Sequence, residues 1–438
     1  MKVVYLTAGA AGMYCGSCMH DNTLAKAMSR EGVDIQLVPT YTPIRTDEND
    51  VSVDQVFFGG INVYLQQKIP LLRFLPRIFD RMLDSPWLIR KVTSNASNIS
   101  PEELGKLTAS MLKGEKGNQR KEVKRILGWL RHKANPDAIV FSNALIGGCI
   151  PAINRELKIP CYVTLQGDDI FLDSLPEKYK SICISQISQL QEGVAKFVTH
   201  SEYYADYMAE YFSIPRNKIE VTPLGIEAED FHMAKIGGTD SERSPTIGYL
   251  ARLAPEKGLD LLVDAFIQLK KENRVPGLKL KIAGWLGSNN QEFADEQFEK
   301  LKSAGLSEDF EYVGSIERDS KVDFLQTLDV LSVPTSYREP KGLFVLEAMA
   351  SGVPVVQPDH GAFPEMIRET GGGLLFPAGD VGALADSLES LLGDPENRTR
   401  LAKTGYANVH TNRNSTTMAK QMMQLLSQRQ GEPVSSNE

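Results

Sequence analysis

Cysteine is scarce in this chain, and the few thiols are scattered. The 438 residues include five cysteines, at positions 15, 18, 149, 161 and 183. An odd and sparse set in a chain of this length does not describe a disulfide framework, so we expect a protein of the reducing cytoplasm. Cys15 and Cys18 form a C-x-x-C pair, but no second Cys/His pair with ligand spacing follows. We therefore expect packing or turn geometry from this pair, with zinc or redox chemistry as the alternative.

Long apolar runs and an excess of positive charge are also missing. No stretch approaches the ~18 consecutive apolar residues of a membrane-spanning helix, so none is expected. The N-terminus enters a β-branched run at Val3, which indicates a first strand rather than a secretory signal. The net charge of −8 disfavours nucleic acid as a general partner.

The positive charge that is present is concentrated in one region. Residues 61–135 contain 15 basic and 6 acidic side chains, a net charge of +9. Within this region, residues 66–92 interleave apolar side chains with Lys and Arg. This pattern fits peripheral contact with an anionic membrane surface, or the receipt of a phosphorylated or lipid-linked acceptor. The alternative is an insertion that packs its apolar face on the domain and solvates its charges.

Short β-branched runs alternate with helix-like stretches, which is the pattern of βα units on a parallel sheet. The predicted strands are 3–7, 35–39, 138–142, 161–165, 196–200, 219–223, 246–250, 278–283, 310–314, 330–334, 353–357 and 373–376. We predict an α/β fold of two doubly wound, Rossmann-like domains facing across a cleft, with ligands beyond the carboxyl ends of the strands. The first predicted domain is 1–235, with a basic insertion at 61–135, and a polar linker follows at 236–241. The second predicted domain is 241–410. A C-terminal helix at 411–430 is expected to pack back on the first domain, and the tail at 431–438 is expected to be frayed.

Two turns that follow predicted strands have the composition of anion-binding sites. In the first half, glycines at 9, 12 and 16 precede a helix predicted from His20 to Ser29, whose N-terminal amides would attract an anion. Their spacing is not G-x-G-x-x-G, and no acidic residue ends the second strand, which disfavours a nicotinamide or flavin enzyme. In the second half, Arg252 and Lys257 lie between a strand and a helix, where a guanidinium and an ammonium suit a diphosphate. A solvated loop with two surface cations is the alternative.

The segment from Tyr337 to Gly352 carries the most specific pattern. Glu339 lies in a loop, and Glu347 follows eight residues later in a helix predicted to begin near Gly342. Eight residues are about 2.2 helical turns, so both carboxylates could face the same cleft. Gly342 would let a phosphate approach the helix N-terminus closely. The two carboxylates could then accept hydrogen bonds from sugar and ribose hydroxyls.

Together these residues resemble the retaining glycosyltransferases of the GT-B fold, family 4, over nearly the whole chain. The family pattern E-x-F-G-x-x-x-x-E-A-M-A-x-G-x-P-V-V is similar to residues 339–356. The family pattern G-R-L-x-x-x-K-G is similar to residues 251–258. The two similarities occur in the expected order and on the expected elements.

The resemblance implies a role for each matched position. Arg252 and Lys257 would hold the donor diphosphate, and Glu339 would bind the hydroxyls of the transferred sugar. These three residues form the implied catalytic set. Glu347 would bind the nucleotide ribose. The other implied donor contacts are the backbone of Gly342 and Leu343 for sugar and distal phosphate, Ser315 and Ile316 for the base, and Gly16 for the phosphates and the acceptor.

Several positions depart from the family pattern. Gln166, in the segment 164–169, stands where a histidine usually contacts the donor sugar. An amide can donate and accept hydrogen bonds but cannot carry a proton charge, which leaves the identity of the sugar open. Lys341 replaces an aromatic residue and puts a cation beside the expected phosphate. Leu224 replaces an asparagine, and Cys15 replaces a glycine.

The favoured hypothesis is a glycosyltransferase that moves a sugar from a nucleoside diphosphate sugar to a hydroxyl acceptor with retention at the anomeric carbon. The acceptor could be a sugar, a lipid-linked molecule or a small molecule. The resemblance implies that the nucleotide is held without a divalent ion, so no metal and no cofactor are expected. The pair Asp168–Asp169 is then interpreted as a charge pair at a helix N-terminus or as part of a solvated loop. The alternatives are a hydrolysing epimerase on the same architecture and a sugar-nucleotide-binding protein without turnover.

Overall fold

The computed structural model describes residues 1–9, 15–53, 100–233 and 244–428. The chain divides into two compact units. The first contains residues 1–222 together with the chain from Ala419 onward, and the second contains residues 223–418. Among the described residues, no helix combines the length and the apolar character that crossing a membrane requires.

The first unit is a parallel α/β sheet. Its described strands are β1 (Lys2–Thr7), β2 (Asp34–Pro39), β3 (Ala138–Phe141), β4 (Cys161–Thr164), β5 (Lys196–Thr199) and β6 (Ile219–Val221). Its described α-helices are α1 (Gly16–Arg30), α2 (Pro101–Leu112), α3 (Arg120–Trp129), α4 (Ile150–Glu156), α5 (Asp168–Asp173), α6 (Glu177–Leu190) and α7 (Glu202–Tyr211). The strands pair in the order β2-β1-β3-β4-β5-β6.

The second unit has a second parallel sheet. Its described strands are β7 (Thr246–Leu250), β8 (Lys279–Ala283), β9 (Phe310–Gly314), β10 (Val330–Leu331), β11 (Val355–Pro358) and β12 (Gly373–Phe376). Its described α-helices are α8 (Leu259–Lys271), α9 (Gln291–Ser303), α10 (Arg318–Gln326), α11 (Leu343–Ala350), α12 (Phe363–Thr370), α13 (Val381–Gly393), α14 (Pro395–Asn412) and α15 (Ser415–Ser427), the last running into the first unit. The strand order β12-β11-β10-β7-β8-β9 reverses direction between β7 and β10.

Apolar runs form these strands because helices cover both faces of a parallel sheet. All residues of β3, β7 and β11 are buried. The in-register parallel pairing of β7 with β8, from Thr246↔Lys279 to Leu250↔Ala283, brings the carboxyl ends of the strands to one edge of the sheet. The loops that follow the strands therefore meet at that edge.

The predicted α/β class with two doubly wound domains is confirmed, and each predicted strand has a counterpart in the structure. Several bounds were wrong; among them, β6 ends at Val221 rather than 223 and β11 begins at Val355 rather than 353. Helix α1 begins at Gly16 rather than His20, and β10 ends at Leu331 rather than Pro334. The strand stops there because the Val333 amide donates to the side-chain oxygen of Gln357, 3.4 Å away, instead of to a strand partner. The predicted linker at 236–241, the basic stretch 66–92 and the tail at 431–438 lie outside the described residues.

Candidate donor site in the second unit

The strand order of the second unit points to one edge of its sheet. Ligands of doubly wound sheets bind beyond the carboxyl ends of the strands where the order reverses, which here is between β7 and β10. The loop after β7 carries Arg252 and Lys257, and the loop after β10 carries Tyr337 and Glu339. Residues separated by about 80 positions in the sequence therefore come together.

Lys257 and Glu339 form a buried ion pair at this edge. The Lys257 ammonium lies 2.7 Å from Oε2 of Glu339, with 14% and 7% of the two side chains exposed. Lys257 also donates to the Tyr337 hydroxyl at 2.5 Å, and that hydroxyl donates to the same Glu339 oxygen. The ammonium lies 4.8 Å from the centre of the Tyr337 ring and 5.8 Å from that of Phe344. The structure therefore joins two predicted site residues through a tyrosine that the sequence analysis did not select.

The surroundings of Glu339 keep its carboxylate ionised. Burial alone would raise its pKa, but the charge of Lys257, hydrogen bonds from Lys257 and Tyr337, and the charge of Lys341 lower the pKa of Glu339 to about 2. Its other oxygen faces the backbone amides of Lys341 and Gly342 at 3.3 and 3.4 Å. At neutral pH this carboxylate only accepts hydrogen bonds.

Two glycines allow the close approach of these segments. Gly258, which ends the Lys257 turn, has φ +71°, and a Cβ there would lie 1.8 Å from the carbonyl oxygen of Pro334. Gly342 has φ +75° and immediately precedes α11 at Leu343. The backbone conformation of both positions favours glycine. The start of α11 lies next to Glu339, because the amide of Gly342 faces Oε1 of Glu339 at 3.4 Å.

Glu347 forms a second buried ion pair on α11. Its Oε1 lies 2.7 Å from the ammonium of Lys321 on α10, with 6% and 7% of the side chains exposed. Sequence analysis did not select Lys321. The available signal was a basic residue five positions after Ile316, but nothing in the local sequence indicated its partner.

Other predicted residues of this unit have different surroundings. Arg252 pairs with Glu256 at 2.8 Å and keeps 42% of its side chain exposed. Its charge nevertheless acts on the nearby Tyr337. Lys341 is buried, with 7% of the residue exposed. Ser315 and Ile316 form the loop between β9 and α10, which leaves Ser315 exposed and Ile316 half-buried.

In the first unit, Gln166 is fixed by a buried carboxylate. The Gln166 side-chain nitrogen donates to Asp21 at 3.0 Å and to the carbonyl oxygen of Ser142 at 2.8 Å. Asp21, fully buried on α1, also accepts from the hydroxyls of Tyr5 at 2.9 Å and Thr7 at 2.7 Å. Asp21 was not among the predicted site residues. Its acidic side chain within an apolar-periodic helix was the signal that could have identified it.

The start of α1 and the acidic pair also have defined local roles. Gly16 is the first residue of α1 and Cys15 is its N-cap. Asp168 accepts from the amide of Ala144 at 2.7 Å, and burial raises its pKa to about 7. Asp169 accepts from the Tyr204 hydroxyl at 2.5 Å. Among the residues described, no group of three or more His, Cys, Asp or Glu is arranged to hold a metal ion.

Residues 235–408 match a family model described as glycosyl transferases group 1. The D-inositol 3-phosphate glycosyltransferase of Nocardia farcinica is 28% identical over 49% of this chain and 48% of that protein. The lipopolysaccharide core biosynthesis mannosyltransferase LpsB of Rhizobium meliloti is 34% identical over 38% of this chain and 46% of that protein. The chain thus spans about half the length of the curated relatives it matches.

Solved structures resemble the whole chain. Anabaena HepE in complex with UDP and glucose aligns with a TM-score of 0.69 over 98% of this chain and 100% of that chain, at 15% identity. At that identity the likeness concerns the fold, which is the GT-B fold of paired Rossmann-like α/β domains. Residues 235–408, which contain the candidate site, are therefore similar to the glycosyl transferases group 1.

Proposed function

We propose that this protein is a glycosyltransferase that moves a sugar from a nucleoside diphosphate sugar to a hydroxyl acceptor, with retention at the anomeric carbon. The observation that carries the proposal is the Lys257–Glu339 pair at the start of α11, within the segment that matches the family. A cation, a helix N-terminus and an ionised carboxylate within one small region suit a ligand that combines a diphosphate with a polyhydroxylated ring.

The diphosphate would be held by Arg252, by Lys257 and by the first amides of α11 at Gly342 and Leu343. Negative charge grows on the leaving diphosphate as the bond to the sugar breaks. Groups that are already oriented toward that charge stabilise the transition state more than the bound donor. The ammonium of Lys257 pairs with the carboxylate of Glu339. Donor binding would transfer part of the hydrogen bonding of Lys257 from this carboxylate to a phosphate oxygen.

The hydroxyl groups of the donor would meet the two glutamates. Glu339 is ionised, so a sugar hydroxyl must donate to it. Glu347, at the other end of α11, would accept from the ribose, with Lys321 beside it. Ser315 and Ile316 would contact the base, and Lys341 would add a cation next to the distal phosphate.

The first unit would supply the acceptor side. Gly16, at the start of α1, would lie near the donor phosphates, and Gln166 would contact the donor sugar. The resemblance suggests front-face displacement, in which a leaving-group oxygen helps take the proton of the acceptor hydroxyl. No protein nucleophile, cofactor or metal is needed. We also propose that residues 66–92 contact an anionic membrane surface, which salt-sensitive sedimentation with anionic liposomes would test.

The test begins with the purified full chain and a panel of uridine, guanosine and adenosine diphosphate sugars. The nucleotides are first screened by thermal shift, and each donor is then incubated with and without hydroxyl acceptors. Transfer with an unchanged anomeric configuration, read by proton NMR, supports the proposal. Free sugar or an altered sugar formed without acceptor would instead indicate an epimerase or hydrolase, and binding without any product would indicate a binding protein.

Arg252→Ala and Arg131→Ala form a matched pair of variants for this assay. Arg131 is 45% exposed and pairs with Glu156 at 2.8 Å, much as Arg252 pairs with Glu256. It lies before β3, outside the predicted site. We expect Arg252→Ala to reduce turnover at least about tenfold, the order of a lost charged hydrogen bond, and Arg131→Ala to leave it unchanged. Equal activity of the two variants would contradict the role of Arg252.

A further inference from the structure

Tyr337 lies between the two charged groups of the candidate site. Its hydroxyl accepts from the Lys257 ammonium at 2.5 Å and donates to Oε2 of Glu339. The same oxygen receives the ammonium directly at 2.7 Å. The tyrosine is only two residues from Glu339, so it belongs to the same loop, whereas Lys257 belongs to the turn after β7.

Binding of an anion would weaken the contact of Lys257 with Glu339 more than the contact of Tyr337 with Glu339. An ammonium has three N–H donors, and two of those of Lys257 point to Glu339 and Tyr337. A diphosphate carries more charge than a carboxylate and would attract Lys257. Glu339 would then be a buried carboxylate that has lost its nearest cation, which is strongly unfavourable unless another donor remains.

We propose that Tyr337 is a positioning residue, which keeps Glu339 ionised and in place when the donor diphosphate draws Lys257 away. The inference rests on the proposed function and deepens it by assigning a partner to the carboxylate that would bind the sugar. Because the hydroxyl moves with the Glu339 loop, its hydrogen bond to Oε2 does not depend on the position of Lys257. Its ring, 4.8 Å from the ammonium, also offers Lys257 a surface along which to move.

The other charged and titratable groups near this pair lie on several elements. On the same loop, the charge of Lys341 acts on Glu339, and the amides of Lys341 and Gly342 face Oε1 at 3.3 and 3.4 Å. From the loop after β7, Arg252 and Glu256 act on Tyr337. Nε2 of His360, after β11, donates to the carbonyl oxygen of Thr335, 3.0 Å away. Lys257 and Tyr337 both donate a side-chain hydrogen bond to Oε2 of Glu339. Lys257 is also a candidate phosphate ligand, whereas Tyr337 is not.

The variant Tyr337→Phe tests this role, with the most active donor of the panel as substrate. We expect kcat to fall about tenfold, the order of one hydrogen bond to a charged group. The acidic limb of the kcat profile reports the donor complex, in which Lys257 has left Glu339, so it should move to higher pH. The limb of kcat/KM reports the free enzyme, in which Lys257 still pairs with Glu339, so it should move to higher pH by less than the limb of kcat. A purely structural role would not separate the two profiles.

Tyr211→Phe is the matched control. Its hydroxyl donates to Asp173 at 2.8 Å, Lys180 pairs with Asp173 at 2.8 Å, and the Lys180 ammonium lies 5.8 Å from the Tyr211 ring centre. This tyrosine, carboxylate and lysine are arranged like the candidate site but lie in the first unit, on α7 and its neighbours. We expect neither pH limb to move in this variant.

Binding of inorganic pyrophosphate to each variant supplies a second measurement that does not depend on turnover. We expect the Kd of Tyr337→Phe to stay within about threefold of the unaltered protein, since Lys257 and α11 remain. Loss of pyrophosphate binding would overturn the assignment, because Tyr337 would then be a binding residue. Normal turnover of Tyr337→Phe with unmoved pH limbs would overturn the inference alone. Absence of turnover by the unaltered protein with every donor would overturn the proposed function and the inference together.

Discussion

Replacing Lys257 with methionine isolates the energetics of the candidate site. The change keeps most of the side-chain length but leaves Glu339 buried without its nearest cation. In the unaltered protein the surroundings lower the pKa of Glu339 from an ordinary 4.5 to about 2. At about 1.4 kcal/mol for each pH unit, this lowering corresponds to about 3 kcal/mol of stability at neutral pH.

The sign of the pH dependence follows from the direction of the shift. A carboxyl whose pKa is lower in the folded state stabilises the protein above its unfolded pKa, and the contribution disappears as pH falls through the folded value. The stabilisation is therefore complete above pH 4.5 and is lost toward pH 2. In Lys257→Met the part of this stabilisation that comes from Lys257 is absent at every pH, while Tyr337 and Lys341 remain, so the difference between the two proteins should be at most about 3 kcal/mol at pH 7 and smaller at about pH 3.

Hydrogen exchange measures this effect where it arises. Peptides that cover α11, from Leu343 to Ala350, report the free energy of local opening next to Glu339. The control is Lys300→Met, because Lys300 pairs with Asp264 at 3.2 Å with 39% and 45% of the side chains exposed. Such a surface pair contributes at most about 1 kcal/mol. The exchange protection of α11 in Lys257→Met is compared with that in Lys300→Met. If the two were equal, or if the difference between them did not change with pH, the buried pair would not have the assigned energy.

Three further predictions concern the same unit. Gly258→Ala should lower the melting temperature and loosen the site, because its φ is +71° and the new Cβ would lie 1.8 Å from the carbonyl oxygen of Pro334; an unchanged melting curve would contradict this. Lys321→Met should destabilise the second unit by about 3–5 kcal/mol in urea unfolding, and adding Glu347→Gln should recover much of it, since the loss comes from an unpaired buried carboxylate. Transfer activity should persist in EDTA, and a loss that magnesium restores would contradict the metal-free reading.

The sequence predicted the strands well because burial on both faces produces continuous apolar runs, as in β3 and β7. It also selected Lys257 and Glu339, which the structure brings together because parallel strands end at one edge of their sheet. The start of α1 was missed because residues 16–19 have no apolar periodicity. The end of β10 was missed because the amide of Val333 turns to a side chain, which no local pattern indicates.

Partners across the sequence were the part that could not be predicted. Glu339 and Glu347 were selected individually, but Lys321 and Asp21 have their roles through contacts with distant residues, and Tyr337 has its role through both nearby Glu339 and distant Lys257. Lys321 and Glu347 are 26 positions apart, and Asp21 and Gln166 are 145 apart. Composition and spacing describe one segment at a time, so they identify the groups of a site more readily than the hydrogen bonds between them.

The surroundings of Glu339 and Glu347 explain how an acidic protein could present the proposed site for an anion. The net charge of −8 describes the whole chain, but two ammonium groups, those of Lys257 and Lys341, act on the single carboxylate of Glu339. The N-terminus of α11 adds partial positive charge at the same edge. Glu347 adds no uncompensated charge, because Lys321 pairs with it. A diphosphate that approached this edge would therefore meet positive surroundings, while Glu339 stays ionised and able to accept from hydroxyl donors. The local balance of charge depends on which side chains the strand order brings together, and the overall count does not reveal it.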